Sequence, residues 1–153
     1  MTGIKVTGSD KLADLAKQMK VAGQGAMRRE LVSELRKQAK PLVAAQKQSV
    51  RSLAGAPSAW KSRAASMTRA KVSTSAKRAG VRVSVGGGQD GRRARHMNRG
   101  FWRHPLFGNT EWWYEQTVEP GWFDRPANDA GPKLRAALVN VITNYIAKLR
   151  SSL

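Results

Sequence analysis

The segment His104–Phe123, with the sequence HPLFGNTEWWYEQTVEPGWF, concentrates the large aromatic side chains of this 153-residue chain. Each such ring can bury roughly 150–250 Å² on folding. Aromatic side chains this dense indicate either the closure of a domain core or the anchoring of an interface between subunits. Five aromatic residues are the candidate core or interface anchors: Phe107, Trp112, Trp113, Trp122 and Phe123.

The same segment predicts a strand over residues 111–118, which is rich in Trp and Tyr, and a turn at Pro120-Gly121. Strand alternation places Trp112 and Tyr114 on one face and Trp113 on the other. We expect one face to enter the core of the domain. The other face must then meet either solvent or another subunit.

The segment before it, residues 86–100, is predicted to be a mobile basic loop, because its glycines remove the local backbone preference. Residues 60–105 hold twelve basic residues and one acid, so they carry +11 of the net charge of +18. Three interpretations of the loop stay open: a solvated loop without a partner, a contact with nucleic-acid phosphates, or a contact with an acidic neighbouring subunit. The candidate contact residues are Arg92, Arg93, Arg95 and Arg99.

Helical periodicity is strongest toward the two ends of the chain. Ser9 or Asp10 is predicted to cap a first helix that Gly23-Gln24-Gly25 interrupts. A second helix of roughly 28 residues follows, and Pro41 should kink it or end a segment. Its apolar stripe is Met27, Leu31, Leu35, Ala39, Leu42, Gln46, Val50 and Leu53. The last helix has the stripe Leu134, Leu138, Val141, Ile142, Tyr145 and Leu149.

Short strands are predicted at residues 4–6, 72–75 and 80–85, in addition to 111–118. The order of elements predicts an α+β fold, in which a long N-terminal amphipathic helix and a C-terminal helix pack on a small antiparallel sheet. We expect residues 1–153 to form a single domain, with the flexible basic loop around 86–100.

The residue types argue against catalysis. Cysteine is absent and the only histidines are His96 and His104, so ligands for a metal site are too few. No nucleophile elbow or phosphate-binding loop is present. We therefore predict a protein that is not an enzyme and that has no catalytic residues, no metal and no cofactor. No apolar run is long enough to cross a bilayer, so no membrane partner is expected.

The aromatic segment also carries a family resemblance. The motifs His104-Pro105-Leu106-Phe107-Gly108 and Pro120-Gly121-Trp122-Phe123 resemble those of siphophage head–tail connector or neck proteins, which include tail-completion (minor tail protein Z-like) proteins. The N-terminal half, with Arg28-Arg29-Glu30-Leu31 and Ala39-Lys40-Pro41-Leu42-Val43, is similar to the opening helices of that family. The resemblance is weakest over residues 59–100.

The resemblance implies a structural virion protein, assembled in the host cytoplasm. Such subunits form a homo-oligomeric ring, generally a hexamer, at the head–tail junction. The ring would join head-completion (stopper) proteins to the tail terminator and tail tube around the DNA channel. Two alternatives stay open: a tail terminator ring protein, and a phage protein that binds DNA without sequence specificity, since no base-reading element is recognisable.

Overall fold

The computed structural model describes residues 9–75 and 77–152. The strand predicted at residues 4–6 lies outside them, as do the proposed capping side chains of Ser9 and Asp10. Nine elements follow in chain order: α1 (Ser9–Val21), α2 (Gly25–Arg51), α3 (Ser58–Met67), β1 (Thr68–Ser73), β2 (Gly80–Val85), α4 (Gly88–Arg99), β3 (Phe101–Leu106), β4 (Asn109–Thr117) and α5 (Asp124–Ser151).

The α+β class is confirmed. Within the described residues the strands form two separate two-stranded antiparallel sheets, β1–β2 and β3–β4. The sequence predicted β2 at its observed bounds and located β4 to within two residues at its start. β3 was not predicted, because its sequence FWRHPL contains a proline and lacks regular alternation.

The two long amphipathic helices are confirmed. Helix α2 buries every apolar residue of its predicted stripe from Leu31 to Val50, together with Gln46. It continues through Pro41, so the alternative in which this proline ends a segment was wrong. Proline removes one backbone donor and costs a helix about 3 kcal/mol, which the burial of the stripe on both sides offsets. In α5 the predicted stripe is buried except at Val141.

The prediction of a loop at residues 86–100 was wrong, because Gly88–Arg99 is the helix α4. Glycines lie at both ends of α4, where the helix begins and ends. Gly87 is extended at the N-cap, and Gly100 has a φ of 102° in the left-handed C-cap. The Gly100 N–H donates to the carbonyls of His96 and Met97. The burial of Ala94, Met97 and Asn98 holds the intervening turns in place.

Helix α3 was also not predicted. Its buried side chains are Trp60, Ala64 and Ala65, and a stripe with two alanines gives little periodicity. The usable signals were Pro57 just before its start and the helical spacing from Trp60 to Ala64.

The chain divides into two compact units, each assembled from separate segments. The first includes Val43–Arg69 and Ser84–Asp129, and the second comprises the described parts of Gly3–Leu42, Ala70–Val83 and Ala130–Leu153. The single domain stays a prediction. In the first unit the core surrounds Trp60, Trp122 and Phe123, and in the second it consists mainly of aliphatic residues of α1, α2 and α5.

Tyr145 supplies a pH-dependent contact in the second unit. Burial and then a hydrogen bond to the Glu30 carboxylate raise the pKa of its phenol from 10.0 to about 12. Because folding raises this pKa, the stabilisation is complete below pH 10 and is lost as the pH rises through about 12. An absorbance titration of tyrosinate should therefore show a transition near pH 12 that Tyr145→Phe removes and Tyr114→Phe keeps. A transition near pH 12 that survives Tyr145→Phe would contradict this assignment.

Candidate protein interface

The hairpin β3–β4 carries a group of exposed aromatic side chains. All nine residues of β4 are exposed. Trp112 is 66% exposed, Trp113 53%, Tyr114 52% and Phe107, at the tip, 98%. Several large rings exposed on one hairpin are typical of a surface that interacts with another molecule, because only a partner could remove their apolar area from water. We call Phe107 together with residues 111–115 the aromatic ribbon.

The prediction that one face of this strand enters the core was therefore wrong. Alternation specifies which side chains share a face, but it does not show whether another layer covers that face. Trp112, Trp113 and Tyr114 all lie outside the core. Phe107, predicted as a core or interface anchor, is likewise solvent-exposed. Trp122 and Phe123 are 3% and 2% exposed and belong to the core.

The ribbon is attached to the first unit at its root. A hairpin of two strands is marginally stable alone, so it needs such an attachment. Trp102 in β3 is buried, and its ring centroid lies 6.4 Å from that of Trp60. Beyond the last β4 residue, the Val118 N–H donates to the Gly100 carbonyl at 3.0 Å. The ring of His104 continues the stack outward along the hairpin. Its centroid lies 6.1 Å from that of Trp102 and 5.7 Å from that of Tyr114.

Trp113 is held in place although it is exposed. Its indole N–H donates to the Thr110 carbonyl at 2.8 Å, and the Arg103 guanidinium lies 5.9 Å from its ring centroid. Arg103 and Trp113 are on the same side of the hairpin, since Arg103 pairs with Glu115 and Pro105 with Trp113. The ring is thus oriented before any partner binds, which lowers the entropy cost of docking.

The strand register changes in the middle of the ribbon. Pro105 pairs with Trp113 but Leu106 pairs with Asn109, so Thr110, Glu111 and Trp112 have no partner on β3. Bulges of this kind redirect side chains away from the regular pleat. Trp112, which lies in the bulge, is more exposed than Trp113, which pairs with Pro105.

The hairpin tip is strained by Phe107. The loop between Leu106 and Asn109 has two residues, Phe107 with φ 51° and Gly108 with φ 81°. Positive φ at both positions is the pattern of a type I′ turn, which favours Asn-Gly and is costly for a bulky residue. Strain of this kind at an exposed aromatic is typical of functional sites rather than of scaffolds.

We expect Phe107→Asn to stabilise the free hairpin, because it relieves the strained φ and removes no buried contact. The gain should be about 1 kcal/mol, which slows hydrogen exchange of the β3–β4 amides about fivefold. Gly108→Ala, which adds strain at the next position, should speed exchange. Faster exchange in Phe107→Asn would contradict this description of the tip.

The four predicted arginines lie on α4. Successive residues of a helix are about 100° apart, so Arg92, Arg95 and Arg99 fall on one side, opposite the buried Ala94 and Met97. His96 lies on the same side. We call Arg92, Arg95, His96 and Arg99 the arginine stripe; all four residues are exposed. The remaining predicted residue, Arg93, lies apart from the stripe, with its guanidinium 5.5 Å from the ring centroid of Trp102.

Asn98 organises the turn that precedes α5. Its Oδ1 accepts from the Phe123 N–H at 2.9 Å and from the Asp124 N–H at 3.3 Å, and its Nδ2 donates to the Asp124 carboxylate at 2.6 Å. Its carbonyl also accepts from the Gly121 N–H at 2.8 Å. The Pro-Gly-Trp-Phe motif is therefore a buried turn fastened to α4, and it contributes to the subunit core.

Several residues of this region were missed from the sequence. Trp60 and Trp102 complete the aromatic core, and their size was the available signal. Asn98 gave no signal, because a single asparagine in a basic segment looks like a surface residue. The spacing of four between Glu111 and Glu115, in a segment predicted to be extended, favours solvated or intersubunit ion pairs over a catalytic pair, and both side chains are exposed on β4.

The described residues contain no group of three or more His, Asp or Glu side chains that could hold a metal ion. Among them, no helix has the length and apolar character needed to span a membrane. Comparison with known protein families, with curated proteins and with solved structures finds no match for this chain.

Proposed function

We propose that this protein is a structural assembly subunit, and that it forms part of a ring at the head–tail junction of a long-tailed phage. The observation that carries the proposal is the aromatic ribbon. A stable attachment at Trp102 presents exposed rings that lie outside the core of the subunit. Trp and Tyr in such positions are typical hot spots of protein–protein interfaces.

The proposed role needs no catalysis, no metal and no cofactor. As a ring subunit, the chain would contact neighbouring copies, the head-completion proteins on one side and the tail terminator or tail tube on the other. A closed ring requires two different complementary patches on each subunit. The aromatic ribbon and the arginine stripe are two such patches, and they differ in both charge and shape. A tail terminator ring would use the same two patches, so it stays an alternative within this proposal.

Immunogold electron microscopy tests the location. Antibodies raised against the purified chain should label virions from the source of the gene at the head–tail neck. Antibodies against a major capsid protein serve as the matched control and should label the head. Particles that carry the capsid label but never the neck label would overturn the proposal of a virion protein.

A second candidate function is non-specific DNA binding, which the arginine stripe favours. Clustered arginines on one helix face can neutralise phosphates without reading bases. Retardation of a duplex in a gel at low salt should then be reduced by Arg92→Ala, Arg95→Ala and Arg99→Ala together, with the helical content unchanged. Binding should fall steeply with added salt, by about one power of the salt concentration for each phosphate that the protein neutralises. A wild-type chain that does not retard DNA at low salt rules this function out.

A further inference from the structure

We infer that the aromatic ribbon of one copy docks on the arginine stripe of a second copy of the same chain. This inference rests on the proposed function, since it names the partner of the surface described above. Both surfaces belong to the first unit of the chain. Each leaves charged side chains without an ion-pair partner among the described residues.

The charge distribution is the first observation. The chain has 28 Lys and Arg against 10 Asp and Glu, yet β4 carries Glu111 and Glu115 and no basic residue. Neither glutamate forms an ion pair with any described residue, although Arg103 is the cross-strand neighbour of Glu115. Arg103 contacts the ring of Trp113 instead. The most exposed strand of a strongly basic protein thus presents free negative charge.

The arginine stripe is the complementary surface. Arg92, Arg95 and Arg99 form no ion pair with any residue in the described parts of the chain, and the one acid of the helix, Asp90, pairs with Arg63 at 3.9 Å. A second copy is the partner that these observations favour, because its ribbon supplies carboxylates and flat rings together. Arginine guanidinium groups bind both, by ion pairing and by stacking.

The lengths of the two surfaces also match. Glu111 and Glu115 are at most about 13 Å apart in an extended strand. Arg92 and Arg99 are about 10 Å apart along a helix. The reach of an arginine side chain covers the difference. Because the ribbon and the stripe are different surfaces, their contact is head-to-tail, and repeating it builds a ring or an open chain of copies.

Two charge-reversed variants of the full chain test the pairing by native mass spectrometry. The ribbon variant carries Glu111→Arg and Glu115→Arg, and the stripe variant carries Arg92→Glu and Arg99→Glu. Each variant alone brings like charges together, so its assembly should be at least about 100-fold weaker than that of the wild type. An equimolar mixture should assemble again, because the unaltered ribbon of the stripe variant can dock on the unaltered stripe of the ribbon variant, and the two reversed surfaces carry opposite charges. Circular dichroism and thermal unfolding check that both variants fold.

Four outcomes overturn the inference. The first is a wild type that stays monomeric at every concentration. The second is that both variants assemble as the wild type does. The third is a mixture that fails to associate from two folded variants. The fourth is that stripe reversal abolishes DNA binding and leaves the mass of the assembly unchanged, which would make the stripe a nucleic-acid surface. None of these results affects the immunogold test, so the proposed function can stand or fail separately.

Discussion

Replacing Trp122 with alanine should destabilise the protein by about 3–5 kcal/mol, the usual cost of removing a large buried aromatic side chain. Its ring is 3% exposed and its centroid lies 6.0 Å from that of Trp60, with the planes at 86°. It also packs at 5.5 Å against Phe123, at the turn where Asn98 fastens the chain. The substitution removes both aromatic contacts and leaves a cavity in the core. Chemical denaturation followed by circular dichroism measures the loss.

Trp113→Ala is the matched control for that substitution. It deletes the same side chain from a site that is 53% exposed, so we expect a loss of about 1 kcal/mol or less. The contrast separates the two tryptophans by role, since one belongs to the core and the other to the ribbon. Equal destabilisation by the two substitutions would contradict the exposed position of the hairpin.

Replacing Asn98 with alanine should cost about 3 kcal/mol, because the change removes three side-chain hydrogen bonds and an unsatisfied buried group costs about 1–3 kcal/mol. The side chain is 8% exposed and uses both its acceptor and its donor, toward the Phe123 N–H and the Asp124 carboxylate. Alanine would leave the buried N–H without this acceptor. It would also remove the side-chain hydrogen bonds that join Asp124, at the start of α5, to α4. Equilibrium unfolding in urea measures the difference.

Asn140→Ala provides the control for Asn98, because Asn140 is exposed on α5. Alanine is the better helix former, so this variant should be unchanged or more stable by about 0.5 kcal/mol. A loss at Asn98 no larger than the change at Asn140 would show that the buried network contributes little.

The sequence predicted the helices that have strong periodicity and failed where the periodicity is weak. The stripe of α2 includes Gln46, whose amide donates to the Phe123 carbonyl at 3.0 Å, so even this polar member was placed correctly. The glycine content of the segment predicts a loop where α4 lies. The glycines lie at the two ends of the helix, with Ala94 and Met97 between them, and a count of residue types does not show these positions.

The candidate site was only partly predictable. Dense aromatics indicated an interface or a core, and the structure divides them between the core and the exposed surface, with Trp122 inside and Trp112 outside. Local alternation cannot make this distinction, because burial depends on whether a layer distant in sequence covers the strand. The arginines were identified as a group from their charge. Only the fold shows that three of them share one side of a helix, while Arg93 stacks on Trp102.

The aromatic ribbon is proposed to hold copies of this chain together. Native mass spectrometry of the wild type and of the double variant Trp112→Ser, Trp113→Ser tests it most directly. We expect the variant to unfold at nearly the same temperature as the wild type and to lose assembly, because both rings lie outside the core. A folded double variant that assembles as tightly as the wild type would contradict the claim.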